Sequence, residues 1–320
     1  VTDQQMNSTA VQTLFDKAMC EIGKVVVGQQ ELVEQAIVTL LAGGHALVEG
    51  VPGVAKTLAV KTIARWLALD YSRIQGTPDM MPADIVGTNI FMAAQNSFAF
   101  HRGPAFTQFL LADEINRMPP RTQAALLECM EERHITSDGV RYDLDPYFTV
   151  FATENPIEFE GTYPLPEAQL DRFLLKICVG YPTVEQERMV LERHHAAPQL
   201  LEAAQLEPLD PQLLAAARRE VRETLVEPQI LDYLLAVVRK TREWPTLALG
   251  ASPRAATALL IVSKAYARRD GRNYLLPDDV KSAVLPCLRH RLQLRPEAEL
   301  EGYTADRALT DILAAVAVPQ

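Results

Sequence analysis

A lysine and a hydroxyl side by side behind two glycines are the residue types that hold a polyphosphate. They close the stretch Gly50-Val51-Pro52-Gly53-Val54-Ala55-Lys56-Thr57. The Lys56 ammonium would reach the β- and γ-phosphates, and the Thr57 hydroxyl is of the kind that holds Mg²⁺. Gly50 and Gly53 let the backbone curl round an anion with no Cβ in the way. The helix expected to follow offers unpaired N–H groups and the positive end of its dipole. Ala55 stands where such a loop usually carries its last glycine. At a helix entry right-handed dihedrals are expected, which alanine adopts without strain.

Two acids supply the second half of a hydrolytic site. Phe109-Leu110-Leu111-Ala112 is a continuous apolar run, as in a strand buried on both faces, and Asp113-Glu114 ends it. Open parallel sheets bind their ligands at the carboxyl ends of their strands. There Asp113 would hold Mg²⁺ through water, and Glu114 would orient and polarise the attacking water. A second apolar run, Tyr147 to Ala152, ends in Thr153-Glu154-Asn155-Pro156. The Asn155 amide could hydrogen-bond the attacking water or the γ-phosphate, or serve only as a turn residue before proline.

The elements that must position these residues alternate between strand and helix over the first half of the chain. Val11, Leu14, Phe15, Ala18 and Ile22 stripe one helix, and Leu32 to Leu41 a second that ends at Gly43-Gly44. Ala46-Leu47-Val48-Glu49 is the strand before the phosphate loop, and Tyr71 to Gln75 another. Ile85 to Pro104 reads as a hairpin with a polar tip at Gln95-Asn96-Ser97, its Phe91, Met92, Phe98 and Phe100 serving either as packing or as a working surface, with packing the first expectation. Ile135 to Tyr142 reads as a second hairpin turning at Asp138-Gly139. Leu165 to Phe173 leads into a last strand, Leu174 to Val179. After Gly180 and Pro182 the pattern becomes helical, with starts at Thr183, Pro211, Ser252-Pro253 and Pro277, a stripe from Ile230 to Val238, and a tail helix around Ala308 to Ala315.

Bulk properties exclude several classes. The 320 residues are 48% hydrophobic and 22% charged, enough for one large or two ordinary globular domains. With 31 basic against 41 acidic side chains the net charge is −10, a poor starting point for gripping a nucleic-acid backbone. Cys20, Cys129, Cys178 and Cys287 form no Cys-x-x-Cys pair, which argues against zinc and against a disulfide framework. Three of them stand among apolar neighbours and are expected in the core. No stretch is long and apolar enough to cross a bilayer, and Val1 to Gln5 is too polar for a secretion signal, so a cytoplasmic location is expected.

The blocks GVPGVAKT, RIQGTPDMMPADIVGT, LLADEINRMPPRTQAALLECMEER, FATENP, LPEAQLDRF and ASPRA, in this order, resemble the MoxR family of AAA+ ATPases. The similarity runs roughly from Val25 to Leu292. Relatives with the same inserts include the magnesium-chelatase ATPase subunit and the MCM helicases. The resemblance implies an α/β fold: an αβα nucleotide-binding core with a parallel sheet over residues 1–182, and a helical lid over residues 183–320. It places Val26, Val27 and Gly28 near the adenine, and Gly50, Pro52, Gly53, Val54, Ala55, Lys56, Thr57 and Leu58 around the phosphates. Asn155 matches sensor 1, Arg172 the arginine finger of a neighbouring subunit's site, and Arg254 sensor 2. Phe91–Phe100 would be the insert in helix 2 and Ile135–Tyr142 the hairpin before sensor 1, with Arg117 a further residue touching a neighbour.

The resemblance also implies ATP and Mg²⁺ as cofactors and a homo-oligomeric ring, a hexamer in this family. The work expected is chaperone-like remodelling of a protein client with a von Willebrand factor A domain partner. Two other readings compete. A nucleic-acid motor would want basic residues at its hairpin tip, whereas this turn is Ser137-Asp138-Gly139 with Arg133 and Arg141 set back. A nucleotide-gated scaffold would have little need for the full set of Asp113, Glu114, Asn155 and Arg172.

Overall fold

The computed structural model describes residues 9–94, 96–156, 161–196 and 205–319. Val1 to Gln5 and Gln95 of the first hairpin tip lie outside them. At its centre five strands run parallel: β1 (Ala46–Gly50), β2 (Tyr71–Gln75), β5 (Phe109–Asp113), β8 (Thr149–Glu154) and β9 (Leu175–Val179), in the order β2-β5-β8-β1-β9. Leu111 pairs with Phe151, Ala46 with both Phe151 and Leu175, and Gln75 with Asp113. β5 is buried along its whole length, as its unbroken apolar run requires.

Period-two alternation divides the sheet's side chains between two apolar clusters. Ala46, Val48, Phe109, Leu111 and Phe151 face one side, where they meet α1 (Ala10–Gly23), α2 (Gln30–Ala42) and α3 (Lys56–Trp66). Leu47, Leu110, Ala112, Val150 and Ala152 face the other, packed on Leu126, Leu127, Cys129 and Met130 of α5 (Pro120–Glu132). The first cluster does not stop at the sheet. It continues into α8 (Pro211–Arg222), α9 (Pro228–Arg242), α10 (Pro253–Arg269) and α11 (Pro277–Leu288), so lid and core share one apolar interior.

Both hairpins form where the turn chemistry put them. β3 (Gly87–Met92) pairs with β4 (Ser97–Arg102), and β6 (His134–Ser137) with β7 (Val140–Asp143). Asp138 and Gly139 both take positive φ, 51° and 78°, as a tight two-residue turn demands. The expectation that the first hairpin's aromatics pack is corrected at the tip. Phe91 and Phe98 touch each other but are 52% and 72% exposed, because the hairpin projects from the sheet instead of covering it. Only nearer the base does Phe100 stack on Tyr142 of the other hairpin, ring centroids 4.2 Å apart. The cysteine expectation is also corrected. Cys129 and Cys287 are buried, whereas Cys20 and Cys178 are exposed.

Several short elements escaped the sequence reading: α4 (Pro82–Val86), α6 (Glu167–Leu170), the pair β10 (Leu247–Leu249) and β11 (Gln293–Leu294), and α12 (Pro296–Leu300). The helix from Thr183 is α7 (Val184–Ala196), and α13 (Ala305–Ala315) is the tail helix. In α9 the buried face is Ile230, Tyr233, Leu234, Val237 and Val238. Leu231 and Leu235, read as part of the stripe, point to solvent.

Candidate nucleotide site

The loop from Gly50 to Ala55 leaves β1 at its carboxyl end and enters α3 at Lys56. Gly53 takes φ 85°, the left-handed turn that only glycine makes freely. Ala55 takes φ 60° and ψ 24°. The expectation of right-handed dihedrals there is therefore wrong, and alanine sits where its Cβ is disfavoured. Lys56 Nζ donates to the carbonyls of Gly50 and, at 3.1 Å, of Glu154, so its ammonium lies across the mouth between β1 and β8. Burial lowers its pKa, an effect countered by the nearby carboxylates of Asp113 and Glu114. Pro52 is in the turn, Val54 is buried beneath it, and Leu58 packs against the first core cluster.

Asp113 ends β5 as the focus of a dense polar set. Its Oδ1 accepts from Thr153 Oγ1 at 2.6 Å, and its Oδ2 accepts from Thr57 Oγ1 at 3.0 Å and from Arg73 Nη2 at 2.7 Å. Burial alone would raise its pKa, but the hydrogen bonds from Thr153, Arg73 and Thr57 outweigh it and hold the carboxyl below the usual range. Glu114 turns left-handed at φ 56°, its N–H donating to Thr153 Oγ1 at 2.9 Å. That conformation is costly for a non-glycine residue and throws the side chain off the strand direction. Arg117, expected to reach a neighbour, pairs with Glu114 of its own chain at 3.1 Å. Asn155 is buried just past β8, beside the Glu154 carbonyl that holds Lys56.

A cleft of about 460 Å³ is lined by Val26, Val27 and Gly28 from the α1–α2 connection and by Gln186 and Met189 of α7. Gly28 has φ 78°, and a Cβ there would come within 2.7 Å of Gln186 Oε1, so the chain passes under α7 with no room for a side chain. The apolar walls and backbone edges suit a flat heterocycle.

Arg172 and Arg254 are elsewhere. Arg172 precedes β9, and the Leu174 N–H donates to the carbonyl of His45, just before β1, at 2.7 Å. The phosphate loop leaves β1 at its other end, roughly 16 Å of strand away. Arg254 opens α10 at the same edge as Arg172, and both pair with Glu131 in the last turn of α5.

Residues 45–175 match the model of the ATPase family associated with various cellular activities (AAA), and residues 239–312 that of the AAA lid domain. The chain is 44% identical to Chaperone MoxR1 of Mycobacterium tuberculosis over 96% of its own length and 82% of the relative's. It is 43% identical to the uncharacterised protein YeaC of Bacillus subtilis, covering 96% and 95%, and 31% identical to Protein MoxR of Methylorubrum extorquens, covering 88% of each. The chain belongs to the MoxR family of AAA ATPases. A crystal structure of a protein from Cytophaga hutchinsonii assigned as an ATPase superposes with a TM-score of 0.88 at 39% identity, covering 97% of both chains.

In this MoxR-family ATPase the residues singled out from the sequence thus fall into two groups at opposite ends of the sheet's strands. The carboxyl ends gather Lys56, Thr57, Asp113, Glu114 and Asn155. The amino edge carries Arg172 and Arg254. Among the described residues no group of His, Cys, Asp and Glu has metal-binding spacing. The Thr57 hydroxyl and an Asp113 carboxylate oxygen, 3.0 Å apart, are nonetheless the hard oxygen donors that Mg²⁺ takes while keeping several of its waters.

Sequence reasoning missed Thr153 and Arg73. Thr153 is a buried hydroxyl that donates to Asp113 and accepts from the Glu114 N–H, so it fixes both acids at once. Its signal was a lone polar side chain ending the β8 apolar run. Arg73 lay in the RIQ block, but nothing in a single strand's pattern shows which neighbouring strand will stand beside it.

Proposed function

We propose that the chain hydrolyses ATP with Mg²⁺ only when assembled, as a homo-oligomeric and in this family hexameric ring that remodels a protein client. Residues 1–182 form the core that holds the nucleotide and residues 183–320 the lid. Val26, Val27 and Gly28 flank the adenine, the loop from Gly50 to Leu58 wraps the phosphates, and Lys56 neutralises their charge. Thr57 and Asp113 would hold Mg²⁺, which supplies further neutralisation of the phosphates. Glu114 orients the attacking water and Asn155 hydrogen-bonds it or the γ-phosphate. Arg172 and Arg254 complete a neighbour's site.

One observation carries this reading: the two arginines stand by the amino ends of the strands, a full strand length from Lys56. They are out of reach of their own phosphate loop, yet on the surface that a head-to-tail neighbour would meet. Heterologous contacts of that kind close into rings. Phosphoryl transfer needs a cation on the transferred group, which an isolated subunit supplies only in part. The exposed Phe91 and Phe98 at the projecting hairpin and the acid at the tip of the other favour a polypeptide client over nucleic acid. Maturation of that client together with a von Willebrand factor A domain partner, in the cytoplasm, is the family's mode of work.

The test mixes two inactive variants. Lys56→Ala subunits lack a working loop and Arg172→Ala subunits lack the finger. Mixed rings contain interfaces where an intact loop meets an intact arginine, so activity is expected to return. If native mass spectrometry shows mixed rings and hydrolysis stays at the level of either variant alone, the shared site is refuted.

A further inference from the structure

The carboxylate between the two arginines has no place in the machinery described so far. Glu131 receives Arg172 Nε on Oε2 at 3.0 Å and Arg254 Nη2 on Oε1, one guanidinium from the core and one from the lid. Its side chain is 31% exposed, against 30% for Arg172 and 49% for Arg254. The triplet therefore sits at the surface with one net positive charge. Each pairing uses only part of a guanidinium that carries five donors, so N–H groups remain for another acceptor.

The segments that carry the two arginines are tied to each other. Asp171, the residue before Arg172, accepts from Ser252 Oγ at 2.9 Å and from Arg291 Nε at 2.6 Å. Ser252 is the N-cap of α10, and Arg254 is two residues further on. The core loop and the first turn of the lid helix are thus tied twice in parallel, once by Asp171 and Ser252 and once through Glu131. Glu131 is itself held by α5, whose Leu127 and Met130 are buried under the sheet. The concavity at this junction is about 310 Å³ and is bordered by Arg133, Arg172, Arg254 and Arg291 against only Glu131 and Asp171, a basic recess on a chain of net charge −10.

We propose that Glu131 is the positioning residue of a two-arginine unit: it joins Arg172 and Arg254 so that both guanidiniums enter a neighbouring subunit's phosphate site together. This rests on the shared-site reading above. Two bare guanidiniums side by side repel each other and swing on long stems. A carboxylate between them cancels the repulsion and fixes their separation, while leaving the outer N–H groups to a phosphoryl oxygen. Lid and core arginines then act at one phosphate as a single group. Glu131 touches no substrate, and its effect passes through the arginines.

The test uses the full chain. Glu131→Ala is expected to lower kcat at least tenfold, since misplacing a charge-stabilising group by about 1 Å costs up to about a hundredfold. The dissociation constant for ATP should stay within twofold, because the subunit's own loop is untouched. Glu131→Gln keeps the volume and one acceptor oxygen and should fall between the two. A melting midpoint for each variant separates loss of fold from loss of positioning. Mixing Glu131→Ala with Lys56→Ala subunits should restore activity, as is expected of mixing Arg172→Ala with Lys56→Ala. An unchanged kcat in Glu131→Ala overturns the proposal. If the Arg172→Ala mixture recovers and the Glu131→Ala mixture does not, Glu131 serves its own site and the proposal also fails. If neither recovers, the shared site fails and takes this proposal with it.

Discussion

Replacing Ala55 with glycine should stabilise the protein. Ala55 is the last residue before α3 and sits at φ 60°, ψ 24°, where its Cβ crowds the following carbonyl. For an L-residue this conformation costs about 1–2 kcal/mol relative to the right-handed region, and glycine avoids the cost. Against that gain, glycine gives the unfolded chain extra freedom worth about 0.4–1 kcal/mol. The balance is a net stabilisation of between about 0 and 1.6 kcal/mol, about 0.8 kcal/mol at the midpoints, for Ala55→Gly. Because core and lid share one apolar cluster, a single cooperative transition should report it. Urea unfolding of the nucleotide-free chain should show a higher midpoint with unchanged slope. Ala55→Val, whose β-branch tolerates the left-handed region worse still, should shift the midpoint the other way. An Ala55→Gly protein that unfolds at the same or lower urea would show that the loop's turn holds no strain for alanine to bear.

Glu114→Gln should bind ATP as tightly as the parent and hydrolyse it about a hundredfold or more slowly, measured by phosphate release; hydrolysis at the parent rate removes the water-orienting role. His45 is buried, its Nδ1 accepting from the Val150 N–H at 2.9 Å and its Nε2–H donating to the Met130 carbonyl at 3.1 Å. Burial, helped by Arg133, pushes its pKa down to about 3. The folded value lies below that of the unfolded chain, so the neutral ring's contribution is complete above about pH 6.5 and is lost as the pH falls, roughly 2 kcal/mol of it by pH 5. The stability of His45→Asn, followed by urea titration at each pH, should fall less steeply by that amount. Phe91→Ser with Phe98→Ser should leave basal ATP hydrolysis within twofold, since the tip is exposed, yet abolish client retention by a Glu114→Gln ring in a pull-down.

Much of this was legible in the sequence because its cause is local. The β1 run, the glycines and Lys56-Thr57 specify a strand, a turn and a helix start within a dozen residues. The apolar run ending in Asp113-Glu114 reads as a doubly buried strand, and Asp138-Gly139 as a tight hairpin turn. What stayed hidden depends on which segments meet. The dihedrals of Ala55 are set by the curl of the whole loop, not by its propensity. Phe91 and Phe98 read as core because aromatics usually are, and only their height above the sheet exposes them. Thr153 became the brace of Asp113 because β8 lies beside β5, and Glu131 became the anchor of two arginines because a loop before β9 and a helix start some eighty residues later both return to the end of α5.

That last juxtaposition gives α5 a role that neither edge of the sheet reveals by itself. The helix begins beside the acids, where the buried Gln123 donates through Nε2 to the Ile115 carbonyl one residue past Glu114, and ends at Glu131. Its length, about 20 Å at 1.5 Å per residue, is close to the distance across the sheet. With Leu126, Leu127, Cys129 and Met130 buried against the sheet's second face, it cannot slide without opening that core. A shift of Glu114 therefore has a stiff route to Glu131, the carboxylate on which Arg172 and Arg254 are held. On the shared-site proposal, binding at one site and arginine placement at the next would be joined by a packed element anchored at both ends, which is the physical form that coupling around a ring requires. The same rigidity explains why the arginines are held on a carboxylate and not left free. A rod can transmit displacement only to groups whose position it already fixes.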